Sequence, residues 1–550
     1  MSASSKKKLR NAAKAEQLTE KQLAEQTEAK KLKIFTIVMV AAVALMVVFA
    51  IGVGVYNGVI VPQQAKKEAE AMRSTVAVTV GDHEVSAVEY NCFYVDAVSN
   101  FYSQVGSYAS LYGLDVTKAL DQQVVDEETG KTWADEFKTS AENNIKSVYA
   151  ICDEAEANGF TLSEADKTTI ESQMTSLALN ALQYGYANVD DYLTAMYGTG
   201  ANQQTVRAYF EKCYTASMYQ NSVAEAIEYT DAEIQAKDDA DPNAYTFFSY
   251  NSYYMSTSKF LEGGTENEDG TKTYSDAEKA AAIAAAEAAA QSLVTEEITS
   301  IEALDAAIAA LEINAEAASA ASTPYTDSSY TYLASAIQSW VADESRQAGD
   351  LTYLPSTTTD ADGNTTVTGY YVVYFVARNE NDYQLANIRH ILAAFEGGTT
   401  DTNGNKTYSD EEKAAAREKA EAIYEEWKNG EATEDTFAAL ANEKSDDGDG
   451  TTGGLYTDVY KGQMVESFNN WIFAGHTAGE TEIIESEFGY HIMYALDASE
   501  QTYREMMIKN TLLNEDITEW HDDLVADVTV TEKNMEHVPT GMVISPAYSA

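Results

Sequence analysis

The chain has 550 residues and a formal charge of -52, from 88 acidic and 36 basic side chains, with a pI near 4.3. So acidic a balance repels phosphate backbones and excludes a nucleic-acid partner. A content of 45% hydrophobic and 10% aromatic residues excludes a disordered acidic chain. The three widely spaced cysteines Cys92, Cys152 and Cys213 exclude both a disulfide framework and a zinc cluster.

Residues 1–33 carry nine Lys/Arg and four Glu, a basic leader at +5, so the remainder of the chain sums to -57. Residues 34–56 then run for 23 positions without a charge, enough helix to span a hydrocarbon core of roughly 30 Å. Lys30, Lys31 and Lys33 stand immediately before this run and predict a cytoplasmic N-terminus. The long leader and long apolar run predict an uncleaved, single-pass transmembrane signal anchor rather than a cleaved signal peptide. The bulk of the chain is then extracytoplasmic, held at the cell membrane by one N-terminal helix.

A strand is expected at 75–80, closed by the Gly81-Asp82 turn. Helix-length segments follow at 86–105, 133–158, 163–184 and 203–227, punctuated by Gly106, Gly113, Gly159 and Gly198. The next region contains an internal repeat. Residues 262–282 and 396–416 are identical at 15 of 21 positions, at a constant offset of 134. Each copy reads as an Asn/Asp/Gly turn, then a capping box (Ser275 with Glu278, Ser409 with Glu412) that opens a helix. Each begins with an extended apolar run (245–254; 383–392) and ends on a strand starting at Gly369 or Gly489. Trp340 before Ala348-Gly349-Asp350 matches Trp471 before Ala478-Gly479-Glu480. One α+β unit therefore occurs twice in tandem. At the offset of 134, Ser256 stands where the second copy has His390, and in the closing strands, matched from Gly369 and Gly489, Tyr371 stands where the second copy has His491. A helix at about 503–525 and a β-like stretch from Asp527 follow, and residues 534–550 read as a disordered tail.

The second copy resembles a parvulin-type peptidyl-prolyl cis/trans isomerase. The resemblance rests on Arg389-His390-Ile391-Leu392, Phe437 with Leu440-Ala441, Ser445-Asp446-Asp447, Gly453-Gly454, Gly462-Gln463-Met464, Phe468, Phe473 and Phe488-Gly489-Tyr490-His491-Ile492, in the family's order. Leu455-Tyr456-Thr457 replace the Asp-Leu-Gly that usually follows the paired glycines, so either Leu455 or Tyr456 takes the place of the pocket leucine. The first copy lacks both histidines and the paired glycines, and resembles a degenerate member of the fold. The wider layout is similar to extracytoplasmic PrsA/SurA-like foldases. That similarity implies an α+β multidomain fold, with a leader at 1–33, an anchor at 34–56 and a tail at 534–550. Between them it implies a split, mostly helical chaperone domain at 70–240 plus 500–533, a degenerate parvulin-like domain at 243–380 and a parvulin domain at 383–498. In that plan the strands near 75–80 and 527–532 pair.

Rotation about an X-Pro amide faces a barrier of about 18–20 kcal/mol from the partial double bond, yet breaks no bond. It needs no nucleophile, metal or redox cofactor. A pocket that holds the twisted amide better than either planar form is sufficient. Met464 and Phe468, four apart, suit an apolar wall for the proline ring, with Phe488 as another. His390, His491 and Asp447 suit a polar network that orients the site. The Asp401-x-Asn403-x-Asn405 turn with Glu412 imitates a calcium loop, but Lys406 occupies the glycine position, so a capped turn explains it better. His83, His476, His521 and His537 lack partners at metal-ligand spacing, and no metal is expected. The expected function is prolyl isomerisation and chaperoning of unfolded or partly folded secreted proteins with X-Pro bonds. The alternative is a non-catalytic holdase that uses both parvulin folds as scaffold.

Overall fold

Side-chain caps open the helices of this protein where Ser, Thr or Asn precedes an apolar stripe. The computed structural model describes residues 61–544, apart from 315–319, 403 and 449. Thr132, Ser163, Asn202, Ser275 and Ser409 each accept a hydrogen bond from the N–H three residues on, and each is answered by the side chain at that position. The chain divides into two units, one comprising residues 230–510 and the other residues 61–229 with 511–544.

The helical unit contains α1 (Val61–Ser74), α2 (Ala87–Val105), α3 (Trp133–Ala157), α4 (Glu164–Gln183), α5 (Val189–Tyr197) and α6 (Gln203–Glu225). Its small sheet runs in the order β11–β1–β2, where β1 is Val76–Val80, β2 His83–Ser86 and β11 Val530–Glu532. Val78 pairs with Glu532 and Val80 with Val530, antiparallel, so the distant ends of the chain meet in one sheet as the layout implied. The core is strongly aromatic: Tyr90, Tyr94 and Tyr192 are fully buried, and Phe93 packs edge-on against Tyr209 at 4.8 Å. The expected disordered tail is corrected through residue 544. Val538, Met542 and Ile544 are buried in this core, and Leu120 N–H donates to Met542 O. Apolar side chains spaced through a short irregular segment gave no periodic signal, but they fill the core as effectively as a helix stripe would.

The other unit begins with α7 (Asp231–Ala240) and holds the two copies, the first of which includes α9 (Ile301–Ala310). In the first, β4–β3–β6–β5 is the strand order, with β3 Phe247–Ser256, β4 Thr323–Ser329, β5 Leu351–Thr359 and β6 Thr365–Asn379. The second has the order β8–β7–β10–β9, with β7 Ala386–Ala394, β8 Leu455–Val459, β9 Thr481–Glu485 and β10 Gly489–Ala495. These are the same topology, element for element. In each sheet one face is covered by the helix after the capping box, α8 (Asp276–Ser292) or α11 (Asp410–Asn429), and the other by a short helix, α10 (Ser335–Val341) or α13 (Glu466–Ile472).

Sheet register corrects the expected match between the copies. Gly369 pairs with Ser256 in the first, whereas Gly489 pairs with Ala394 in the second. The position of His390, which pairs with Met493, is therefore held by Ser252, which pairs with Val373, and not by Ser256. A 3-10 turn of four residues, Thr257–Phe260, lengthens the first copy between strand and hairpin and accounts for the slip. Among the described residues no helix is long and apolar enough to cross a membrane, and the expected anchor at 34–56 lies outside them.

Candidate active site

The site forms where β7, β8 and β10 run side by side against α13. Successive strand residues face opposite sides, so Ile388, His390 and Leu392 share the face that looks toward α13, whereas Ile391 and Ala393 pack toward α11 and α12 (Glu434–Lys444). His390 and His491 are both nearly fully buried on the first of these faces. Leu392 pairs with His491 and His390 with Met493, which sets the two imidazoles on a diagonal between adjacent strands. Their rings approach at the Nδ1 atoms, 3.2 Å apart.

The loop between α12 and β8 brings in the carboxylate. Ser445 Oγ accepts from Leu392 N–H at 3.0 Å and from Asp447 N–H at 3.2 Å, and Asp446 N–H donates to Leu392 O. These bonds clamp the loop to the strand end and set Asp447 Oδ2 3.1 Å from His390 Nε2. The paired glycines that follow are required by close approach. At Gly454, with φ +67°, a Cβ would lie 2.0 Å from the His390 carbonyl oxygen, so no other residue fits. Arg389, held by Glu434 at 2.9 Å, donates to the Gly453 carbonyl at 3.0 Å and braces the same turn from the opposite face.

The hydrogen bonds run in one direction. A carboxylate can only accept, so His390 carries its proton on Nε2. Its Nδ1 then accepts from His491 Nδ1–H, and His491 Nε2 accepts from the Ser486 hydroxyl at 2.7 Å. Ser486 Oγ in turn accepts from Phe488 N–H at 3.1 Å. Burial pushes the His390 pKa below its ordinary value, against the opposing pull of Asp447. Burial, reinforced by the neighbouring His390, pushes His491 down to about 4. Both rings are therefore neutral at pH 7, as this pattern of donors requires.

Phe468 supplies the apolar wall. Its ring meets His390 and His491 edge-on at 5.1 and 5.0 Å, and Met464 packs in the same cluster. Tyr456 pairs with Ile388 and so lies on the histidine face; its ring is 5.2 Å from His390 and its hydroxyl donates to Asp447 Oδ2 at 3.3 Å. Leu455 pairs with Arg389 and faces away from the histidines. The register therefore separates the two candidates and removes Leu455 from the pocket wall. Phe488 stands about half exposed on the turn between β9 and β10, two residues beyond Ser486. Ser486 was not anticipated from sequence. A serine before an aromatic-glycine turn carries no signal until the register places it beside His491. Glu412 is fully engaged as a cap, with one oxygen on Gly398 N–H and the other on Ser409, which accounts for its place after the Asp401 turn.

Residues 390–497 match the rotamase family described as the PPIC-type PPIase domain. Among solved structures the chain is similar to the peptidylprolyl isomerase PrsA from Bacillus cereus, at 18% identity over 61% of this chain and 92% of that one, with a TM-score of 0.17. No curated protein matches.

Proposed function

We propose that this chain, whose residues 390–497 are a parvulin-type PPIC rotamase domain, is a membrane-anchored folding enzyme that isomerises X-Pro bonds in secreted polypeptides outside the cytoplasm. The rotamase domain supplies the activity. The location is supported by the basic leader and the uncharged run at 34–56. A chaperone role for the helical unit is supported by exposed apolar side chains such as Tyr108, Leu111 and Tyr112.

The chain Ser486–His491–His390–Asp447 against Phe468 carries the reading. In the planar amide, conjugation draws electron density from nitrogen to oxygen. Twisting localises the lone pair on nitrogen and removes most of the C–N double-bond character. The apolar wall of Phe468 and Met464 holds the proline ring while the peptide on the other side of the bond turns. Neutral side chains fixed by their neighbours back the pocket without having to reorganise, so the site can favour the twisted form over both planar ones. Nothing in this scheme transfers a proton. The histidines maintain shape and polarity, Asp447 fixes their tautomers, and Tyr456 holds Asp447.

The test is isomerisation of a short X-Pro peptide by the full chain in detergent. Wild type is expected to exceed the uncatalysed rate clearly. Asp447→Ala and His390→Ala are expected to lower kcat/KM by roughly ten- to a hundredfold, a loss of about 1.4–2.8 kcal/mol of transition-state stabilisation. A wild-type rate equal to the background would overturn the enzymatic reading and leave a holdase, whose aggregation suppression would survive both substitutions.

A further inference from the structure

The face of the first sheet that corresponds to the active site is built from tyrosines. In the second copy Ile388 pairs with Tyr456 and Leu392 with His491. At the corresponding places of the first, Tyr250 pairs with Tyr325 and Tyr254 with Tyr371. All four side chains therefore share one face of the sheet, around Ser252. Tyr250 and Tyr325 are stacked, with centroids 4.7 Å apart and planes 9° off parallel. Tyr254 and Tyr371 lie 4.7 Å apart, tilted by 45°. Leu333 and Ile337, where α10 takes the place of α13, pack against this face and bury Tyr250, leaving the Tyr254 end open. Tyr254 remains 38% exposed.

We propose that this tyrosine face binds proline-rich segments in the extended polyproline II conformation, without turning them over. The inference rests on the reading of the second copy as a prolyl isomerase, since it takes the same face of the same fold to be the one that meets proline. Three observations support it. The positions of His390 and His491 are held by Ser252 and Tyr371, so the imidazole pair that would meet a twisted amide is gone and only ground-state contacts remain. Flat aromatic faces are the partners that proline rings select, and a polyproline II segment is already extended, with little entropy to lose on docking. Tyrosine also carries a hydroxyl beside each ring, and the Tyr254 hydroxyl, which donates to the side chain of Thr368 at 3.1 Å, can exchange that partner for one of the unpaired backbone carbonyls of that helix. Both faces belong to the residue 230–510 unit. A segment caught by the first copy therefore raises the local concentration of X-Pro bonds for the second.

The experiment titrates the full chain in detergent with an uncharged synthetic proline-rich peptide, followed by calorimetry, with an alanine-for-proline peptide as control. Wild type is expected to show two classes of site for the first peptide and none for the control. Tyr254→Ala is expected to weaken one class by roughly five- to tenfold, the range of an aromatic contact, and Tyr254→Phe to keep it. Isomerisation of the short X-Pro peptide should be the same in both variants as in wild type. Nitration of tyrosines in wild type, read by mass spectrometry, provides a measurement independent of any variant: the proline-rich peptide should protect Tyr254 and the control should not. Unchanged binding in Tyr254→Ala together with unprotected Tyr254 overturns the proposal and leaves the isomerase reading intact. Loss of isomerase activity in wild type with tyrosine-dependent binding retained overturns the isomerase reading alone.

Discussion

Ser486 closes the hydrogen-bond chain at the end opposite Asp447, and its hydroxyl is the donor that His491 Nε2 receives. Ser486→Ala leaves that nitrogen without this donor, at a cost of about 1–2 kcal/mol. It also frees the ring to exchange tautomers. The expected result is a lower thermal midpoint and a reduced kcat with KM little changed, because the proline wall of Phe468 and Met464 is untouched. The same histidine sets a pH dependence. Its folded pKa of about 4 lies below its ordinary value of 6.5, so between those values the unfolded chain takes up a proton that the fold refuses. His491 therefore contributes its full stability above pH 6.5, and that contribution drains away as pH falls toward 4. Protection of the β7 and β10 amides should begin to fall on acidification below 6.5, whereas isomerase activity should hold from pH 8 to 7 and be lost only as pH approaches 4, where the folded ring takes up its proton. A rise in activity over that interval would contradict the neutral-imidazole assignment.

Strand β8 shows how an element depends on a single missing side chain. It lies against β7 because Gly453 and Gly454 let the turn pass close under the His390 carbonyl, where a Cβ on Gly454 would stand only 2.0 Å from the oxygen. Gly454→Ala would need β8 to move by more than an ångström, carrying Tyr456 and the Asp447 loop with it. The expected cost is several kcal/mol with loss of isomerase activity, measured by thermal unfolding and the peptide assay. Much at this scale was legible from the chain itself. The capping boxes, the closing strands and the paired histidines all follow from local chemistry or from the repeat. What escaped was register. The inserted turn Thr257–Phe260 moved the match for His390 from Ser256 to Ser252, and pairing with Ile388 rather than Arg389 decided between Tyr456 and Leu455. A strand's face is fixed by its partner across the sheet, and a single sequence does not show that partner.

At the scale of the whole molecule, the two units carry buried ionisable groups of opposite sense. In the helical unit Asp96 is 6% exposed and accepts from Tyr209 OH at 2.7 Å and Tyr197 OH at 3.5 Å. Burial raises its pKa from 3.8 to about 7, and the two hydroxyls only partly oppose the shift. Because the folded value is raised, its stabilising contribution is complete below pH 3.8 and is lost as pH rises through about 7. His491 works the other way in the rotamase domain, losing its contribution as pH falls toward 4. Moving from pH 7.5 to 5 should therefore strengthen the helical unit through Asp96 while weakening the rotamase domain through His491. Asp96→Asn keeps an acceptor for Tyr209 and removes the charge. It is expected to stabilise the helical unit by roughly 2–4 kcal/mol at pH 8 and by much less at pH 4. Hydrogen exchange read by mass spectrometry separates the units within the intact chain. The substitution should raise protection in α2 and α6 at high pH and leave β7 and β10 unchanged, and equal gains at both pH values would show that Asp96 is not the group that titrates.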